Sequence, residues 1–287
     1  MDDSPPTLPT TGVTPRQWNA RLEVGVAMRD GTSVAVHRRH SGPLRLQKPL
    51  YPEGPAVAQL LVVHPPAGIA GGDRLEIDVR AARGAQTLVT TPGATKWYRS
   101  DGARATQAVT LSVARGACVE WLPQENIVFD GADAETSTMI ACERDATCIG
   151  WDIVALGRRA SGERFARGTL RQDLILSCDG RVVWRERARV AGGDALLASP
   201  VGWNGHHVAG SFWAWGATLG EGDRERCRLA TMARPNAGVT VLRDGLVVAR
   251  ALSDSAEGMR ALFHELWTIV RPAMTGRRAT MPRIWAT

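Results

Sequence analysis

The sequence predicts a mainly β protein whose helices are confined to its C-terminal end. Short runs of alternating or β-branched apolar residues recur between Gly, Pro and Asp along most of the 287 residues, as is typical of strands. Two Asp-Gly pairs lie between apolar segments, an arrangement that favours tight hairpin turns. Helix–strand alternation is missing before about residue 220, and no GxGxxG or phosphate-loop motif occurs, which excludes Rossmann and α/β-barrel folds.

The predicted strands follow a short polar segment. Residues 1–17 are rich in proline and are predicted to be a disordered tail. Residues 18–287 contain neither a linker nor an internal repeat of fixed period, so we expect a single domain. Its predicted strands are, in order, LEVGVAM, TSVAVH, AVAQLLVVH, DRLEIDVRA, QTLVTT, ATQAVTLSVA, CVEWL, STMIAC, WDIVALG, GTLRQDLILSC and RVVWRERARV. Hairpin turns are predicted at residues 179–180 and 244–245.

Two segments near the C-terminus have helical periodicity. The stronger one covers residues 254–272, where Asp254 and Glu257 form an N-terminal capping pattern and Pro272 is expected to end the helix. Its apolar residues recur every three or four positions and would share one face: Met259, Leu262, Phe263, Leu266, Trp267 and Val270. A weaker segment covers residues 221–234.

Composition limits the classes of partner. The formal net charge is +6, and all but two of the 35 basic residues are arginines. Because arginine makes bidentate contacts with carboxylates and phosphates, acidic partners are one explanation; a codon bias towards arginine is the other. Nucleic acid is not expected as a partner, since the sequence has neither a basic stripe nor a nucleic-acid-binding motif.

The cysteines and the apolar runs indicate the compartment. The five cysteines include no Cys-x-x-Cys pair, which argues against a disulfide framework and a zinc ribbon and favours reduced, mostly buried thiols. No window of about 18 apolar residues occurs, and the N-terminus is acidic and proline-rich, so neither a membrane span nor a secretory signal is expected. The sequence therefore predicts a cytoplasmic protein without a membrane partner.

Histidines and one glycine-rich loop are candidate functional features. His37 and His40 are three residues apart and His206 and His207 are adjacent, so strand geometry would point the members of each pair in opposite directions. No stable metal site is therefore predicted. The stretch HPPAGIAGGD, residues 64–73, ends an apolar run with prolines and glycines and closes on a carboxylate, which indicates a loop of defined shape.

Four carboxylates lie in loops or beside tryptophan: Asp73, Glu120, Glu125 and Asp130. Two carboxylates about 5 to 10 Å apart can act as acid and base on a glycosidic bond, and exposed tryptophans can stack on sugars. A carbohydrate-active hydrolase or lyase is therefore one function that these residues allow. The alternative is that Asp73 and Asp130 bond their own loop backbones as turn residues. No serine or cysteine nucleophile motif occurs.

Four blocks of sequence carry a family resemblance. They are HPPAGIAGGDRLEIDV, LVTTPGATKWYRS, EWLPQENIVFDGA and RPAMTGRRATMPRIWAT, and they lie in this order between residues 64 and 287. In order and spacing they resemble the UreD family of urease accessory proteins, called UreH in some bacteria. The resemblance implies a β-helix-like stack of many strands with a pair of helices.

The resemblance also implies a function. Members of the family are non-enzymatic maturation factors that bind apo-urease and recruit UreF, which engages the GTPase UreG. The assembly delivers nickel to the urease active site. We therefore expect these partners, with a dimer of accessory complexes as one allowed assembly, and no tightly bound cofactor, nickel being present in transit.

On this resemblance, the loop at residues 64–73 is expected to line an internal passage for hydrated nickel. Asp73 and Glu125 are assigned to its lining, with His64 as a weaker third, because divalent cations of this kind bind oxygen or imidazole donors. Transit also requires weak holding, since a closed site with four ligands would trap the ion.

The contact with UreF is expected in the C-terminal half. Helices with apolar faces and arginine-bearing rims suit protein interfaces. The assigned residues are Leu262, Leu266 and Trp267 on the helix and Arg277, Arg278 and Arg283 in the tail. The alternative is that the three apolar residues cover the open face of the sheet.

Overall fold

The structure contains the eleven strands listed from the sequence, in that order, and adds others that the list lacks. The computed structural model describes residues 17–242 and 245–286. The strands are β1 (Asn19–Arg29), β2 (Thr32–Ser41), β3 (Arg45–Leu46), β4 (Val57–Val63), β5 (Gly68–Ile69), β6 (Arg74–Ala81), β7 (Gln86–Thr90), β8 (Thr95–Trp97), β9 (Ala105–Val113), β10 (Cys118–Trp121), β11 (Asn126–Val128), β12 (Asp133–Cys142), β13 (Thr147–Leu156), β14 (Thr169–Cys178), β15 (Arg181–Ala191), β16 (Val208–Trp215), β17 (Ala237–Val241) and β18 (Leu246–Ser253). The α-helices of the described residues are α1 (Glu221–Met232) and α2 (Ala256–Thr275). The predicted mainly β fold with two helices near the C-terminus is confirmed.

Two sheets share one hydrophobic core. The first is seven-stranded, in the order β15-β14-β12-β9-β6-β1-β2, and is parallel from β1 to β14. The second is eleven-stranded, and its main path is β17-β18-β16-β13-β10-β7-β4-β3. Its central strands β4, β7, β10 and β13 are parallel. Antiparallel hairpins β1-β2 and β14-β15 form the edges of the first sheet.

The chain alternates between the two sheets, which makes the stack β-helix-like. Strands β6, β9 and β12 of the first sheet alternate along the chain with β7, β10 and β13 of the second. The short strands β5, β8 and β11 pair with one another in parallel. Val57 pairs with Gln86, Gln86 with Cys118, and Cys118 with Thr147, at intervals of 29, 32 and 29 residues. Successive turns of the stack differ in length, which explains why the sequence shows no repeat of fixed period.

A second hydrophobic core joins the helices to the outer face of the eleven-stranded sheet. Phe263 and Trp267 of α2 are fully buried there and pack in one cluster with Trp151 and Phe212 of the sheet. Burial of an apolar side chain of this size stabilises a fold by about 1.5–3 kcal/mol. Apolar burial therefore fixes α2 on the sheet, as its three- and four-residue periodicity predicts.

The ends of α2 differ from the prediction. Ser255, rather than Asp254, is the N-cap, because its side chain accepts a hydrogen bond from the backbone N–H three residues on. Pro272 lies inside the helix, which continues for three more residues and ends where Gly276 adopts a left-handed conformation. Proline removes one N–H donor, and the burial of Met274 in the second core supports the last turn.

The hairpin turn at residues 179–180 is confirmed. Asp179 and Gly180 both have positive φ, as a type I′ turn requires, and β14 and β15 pair on either side of it. At the second predicted turn, residues 243–244 lie outside the described residues, and Val241 and Val247 pair on either side. The predicted disordered tail also lies outside the described residues, apart from Gln17.

The five cysteines are free thiols in the structure. Four of them are buried and Cys178 is half-buried, so the predicted burial is confirmed for most. Burial raises the pKa of the Cys227 thiol to about 11, which keeps it protonated and unreactive. Within residues 17–242 and 245–286, no helix has the length and apolar character needed to cross a membrane.

Candidate functional site

Two cavities lie between the two sheets. The first has a volume of ≈ 180 Å³ and reaches from His64, after β4, to Asn126 at the start of β11. The second, of ≈ 410 Å³, lies further towards β14, β15 and β18. Thr136, Thr138 and Asp152 line both cavities. The two spaces therefore adjoin at these three side chains, which come from β12 and β13 and belong to opposite sheets.

Asp152 occupies the junction of the two cavities. Its Oδ1 accepts a hydrogen bond from Nδ2 of Asn126 at 3.1 Å, and its Oδ2 accepts one from Nε2 of Gln172 at 2.6 Å. Burial raises the pKa of Asp152 to about 6, although both hydrogen bonds lower it. This pKa lies below 7.5, so Asp152 is mainly ionised at that pH and a negative charge stands between the cavities.

Glu186 of β15 places a second carboxylate in the second cavity. Ser211 donates its hydroxyl to Oε1 at 2.8 Å, and Nε and Nη2 of Arg250 donate to Oε1 and Oε2, both at 3.1 Å. The charge of Glu186 contributes to the raised pKa of Asp152. Two negatively charged carboxylates thus face the space between the sheets, and Arg250 compensates part of their charge.

Of the three residues predicted to line a passage, His64 lines a cavity. Its Nε2 is buried without a hydrogen-bond partner among the described residues, at the edge of the first cavity. Burial lowers the pKa of His64, an effect that the charge of Asp73 opposes. A neutral imidazole keeps a lone pair that can bind a metal ion.

Asp73 does not line either cavity. It is 2% exposed, and its oxygens accept backbone hydrogen bonds from Trp18 at 2.8 Å and from Ala70 at 2.9 Å. Gly72 beside it has a φ of +90°, which a residue with a side chain rarely adopts. These contacts correct the expected place of Asp73: the carboxylate holds the glycine-rich loop in shape, as a turn residue does.

The remaining sequence-predicted carboxylates lie apart from the cavities as well. Glu125 pairs with Arg260 of α2, on the helical side of the second sheet. Asp130 accepts hydrogen bonds from the backbone of Ala166 and Arg167 and from the Arg167 side chain, so it is also a loop-shaping residue. Glu125 is therefore not brought together with His64, and no observed contact supports a glycosidase pair.

Glu120 lies in the second core. Its oxygens accept hydrogen bonds from Nε1 of Trp267 at 2.6 Å and from Nε of Arg271 at 3.0 Å. Arg271 also donates to Glu53 at 2.6 Å and to the Arg278 carbonyl. Burial raises the pKa of Glu120, while Arg271 lowers it. This buried network ties α2 and the tail to the sheet.

The predicted interface residues divide into two groups. Leu262, Leu266 and Trp267 are at most 1% exposed, and a partner cannot reach them while α2 stays on the sheet. Their position corrects the expectation for the helix: its apolar face covers the sheet, which was the alternative. In the tail, Arg278 and Arg283 are exposed and Arg277 is half-buried.

Sequence reasoning missed Asp152 and Glu186, because no motif or spacing singles them out. Asp152 is one polar residue inside the apolar run WDIVALG, and a half-buried carboxylate in a strand of that kind is itself the clue. Within the described ranges, no group of three or more His, Cys, Asp or Glu side chains is arranged to hold a metal ion. The cavities thus offer separate donors.

Comparison with known proteins decides the family. The family model described as UreD urease accessory protein matches residues 19–286. The chain belongs to the UreD family. It is similar to the urease accessory protein UreD of Pseudomonas fluorescens, with 50% identity over 270 residues, 94% of this chain and 95% of the relative.

Other UreD proteins match at a similar level. That of Nitrosococcus oceani is 46% identical over 285 residues, 99% of this chain and 95% of the relative. That of Pseudomonas aeruginosa is 49% identical over 273 residues, 94% of this chain and 95% of the relative. The resemblance to UreD seen in four sequence blocks is confirmed and covers nearly the whole chain.

Proposed function

We propose that the protein is a non-enzymatic scaffold in urease maturation that conducts nickel between its two sheets. Membership of the UreD family supports the role in urease maturation. In this proposal the chain binds apo-urease and UreF, and it reaches the GTPase UreG through UreF. Nucleotide hydrolysis belongs to UreG, and the chain itself makes and breaks no covalent bond.

The observation that carries the nickel proposal is the junction of the two cavities at Asp152. The cavities have volumes of ≈ 180 and ≈ 410 Å³, so each holds several waters at roughly 30 Å³ per water. Nickel therefore moves with part of its hydration shell. Asp152, Glu186 and His64 supply the oxygen and imidazole donors that such an ion binds.

Weak holding follows from how these donors are arranged. Asp152 and Glu186 already accept hydrogen bonds, and His64 lines the first cavity but not the second. An ion meets them one at a time, and a closed set of four ligands, which would trap it, does not form. Separate donors thus favour transit over storage.

A pair of matched variants tests the passage. Thr138→Phe puts a large ring where the cavities adjoin, whereas Thr110→Phe makes the same change on β9 between the buried residues Val109 and Leu111, and so faces outward. We expect both variants to co-purify with UreF and apo-urease. Urease activity and urease nickel content should fall with Thr138→Phe and stay normal with Thr110→Phe.

One result of this comparison would reject the passage. If the Thr138→Phe complex assembles and activates urease to the wild-type level, nickel does not pass between the sheets. If Thr138→Phe prevents assembly, Asp152→Asn takes its place, because asparagine keeps the shape of the side chain and removes its charge.

For the contact with UreF we propose the exposed tail arginines. Truncation before Arg277 is a poor test, because the Arg278 carbonyl bonds Arg271 and Trp285 stacks on His264 at 4.7 Å between ring centroids. Reversing the charges of Arg278 and Arg283 to glutamate leaves these contacts in place. Capture of UreF should fall at least tenfold, and undiminished capture would remove the tail from the interface.

A further inference from the structure

The edges of the two sheets meet beside the second cavity. β15 is the last strand of the first sheet and β17 is the last strand of the second, so within the described ranges each pairs with one neighbouring strand. A groove of ≈ 380 Å³, called the edge groove below, is lined by residues from both edges. Its lining residues are Trp184, Gly238, Thr240, Leu242, Val248 and Arg250.

The edge groove offers apolar surface that is only partly covered. Leu242 is 45% exposed, and Trp184 is half-buried with its ring 6.1 Å from that of Trp213. Above Gly238 the space is open, because a Cβ atom built there would have no neighbour within 4 Å. Apolar side chains of an added segment would therefore be buried in this groove.

The outward face of β15 carries a row of arginines. Arg185, Arg187 and Arg189 occupy alternate positions of the strand, so their side chains point to the same face. Arg185 pairs with Asp173 of β14 at 2.6 Å. Within residues 17–242 and 245–286, the exposed Arg187 and Arg189 form no ion pair. The row therefore carries uncompensated positive charge along the free edge of the sheet.

We propose that the free edge of β15 binds an extended acidic segment of another protein, which adds one strand to the first sheet. Alternate side chains of the added strand would lie beside the arginine row, and those between them would enter the edge groove. The edge thus selects a segment in which acidic residues alternate with apolar ones. This inference does not rest on the nickel passage.

A second copy of the chain does not fit this edge. Pairing of two β15 strands would place the arginine row of one copy beside the same row of the other, and like charges that face each other across strands are destabilising. Arginines on an edge strand therefore prevent self-association. An acidic strand would instead make opposite-charge pairs with the same side chains.

A synthetic peptide tests the site on the purified full chain. The probe is a fluorescently labelled peptide of 11 residues, the length of β15, in which glutamate alternates with valine. A second peptide has the same composition with its glutamates in one block, so it controls for attraction by charge alone. Fluorescence anisotropy should show at least tenfold tighter binding of the alternating peptide, and equal affinity for the two peptides would overturn the inference.

Two matched protein variants locate the binding edge. Arg187→Glu/Arg189→Glu reverses the charge on β15, whereas Arg38→Glu/Arg39→Glu makes the same change on β2, at the opposite edge of the sheet. We expect the first variant to bind the alternating peptide at least tenfold more weakly and the second to match the wild type. If circular dichroism shows that the first variant is unfolded, Arg187→Gln/Arg189→Gln replaces it. Wild-type affinity in the β15 variant overturns the inference.

N-methylated peptides test whether a strand is added. One alternating peptide is methylated at the backbone nitrogens of its glutamates, and another at those of its valines. Because successive N–H groups of a strand point to opposite edges, we expect one of these peptides to lose binding and the other to keep it. Full binding by both would show that the contact involves no backbone pairing and would also overturn the inference.

Discussion

The substitution Asp152→Asn removes a half-buried negative charge and keeps the shape of the side chain. In the folded protein burial raises the pKa of Asp152 to about 6, against an ordinary value of 3.8. A carboxyl group with a raised folded-state pKa stabilises the fold below its unfolded pKa, and that stability is lost as the pH rises through the folded pKa. The wild type should therefore lose stability between about pH 4 and about pH 6, whereas the variant has no carboxylate to ionise.

The size of the effect follows from the two pKa values. Linkage gives the variant an advantage in the free energy of unfolding of about 3 kcal/mol at pH 8 and about half of that at pH 5. Any hydrogen bond that the substitution changes shifts the free energy of unfolding by the same amount at both pH values. The increase between the two pH values, on the order of 1 kcal/mol, is therefore the quantity to compare.

Urea unfolding of both proteins at pH 5 and pH 8, followed by tryptophan fluorescence, measures that increase. Asp173→Asn is the matched control, because Arg185 lowers the pKa of Asp173 and no such gain should appear. An advantage of Asp152→Asn that does not change between pH 5 and pH 8 would show that the pKa of Asp152 is not raised in the folded protein.

Three other predictions concern stability and reactivity. Arg271→Met should cost about 3–5 kcal/mol in thermal or urea unfolding, because it leaves two buried carboxylates without their cation; a cost below about 1 kcal/mol would contradict that network. Gly68→Ala should cost about 1–3 kcal/mol, since the added carbon would lie 2.2 Å from the Tyr98 ring, whereas Gly238→Ala meets no atom within 4 Å and should be neutral by the same assay. A thiol reagent at pH 8 should label Cys178 first and the four buried cysteines slowly, and rapid labelling that survives Cys178→Ser would refute the described burial.

Local patterns were sufficient for most of the fold. The long strands have alternating or continuous apolar runs. At the turn, Asp179 and Gly180 are residue types that readily adopt the positive φ found at both positions. The short strands β5, β8 and β11 contain two or three residues each and lie among glycines and prolines, so they carry no readable period. They form because neighbouring turns of the stack bring them side by side, so they depend on contacts between residues that are distant in sequence.

The site was less predictable, because its residues depend on contacts between distant parts of the chain. Asp73 was a candidate nickel ligand, but it accepts hydrogen bonds from the backbone N–H groups of Trp18 and Ala70 and therefore holds the loop in shape. Asp152 becomes important because β13 places it in the lining of both cavities, opposite β12 of the other sheet, which no local spacing encodes. His64 directly follows the buried strand β4 and lines the first cavity, and its role in a passage stays a prediction.

Nickel transfer in the presence of a chelator tests the central claim most directly. Purified complexes carrying wild-type, Thr138→Phe or Thr110→Phe chains are loaded with radioactive nickel, and the nickel that reaches apo-urease is counted while a chelator removes any free ion. We predict protected transfer for the wild type and Thr110→Phe, and little transfer for Thr138→Phe. Equal transfer by all three complexes, or loss of transfer to the chelator in the wild type, would contradict conduction between the sheets.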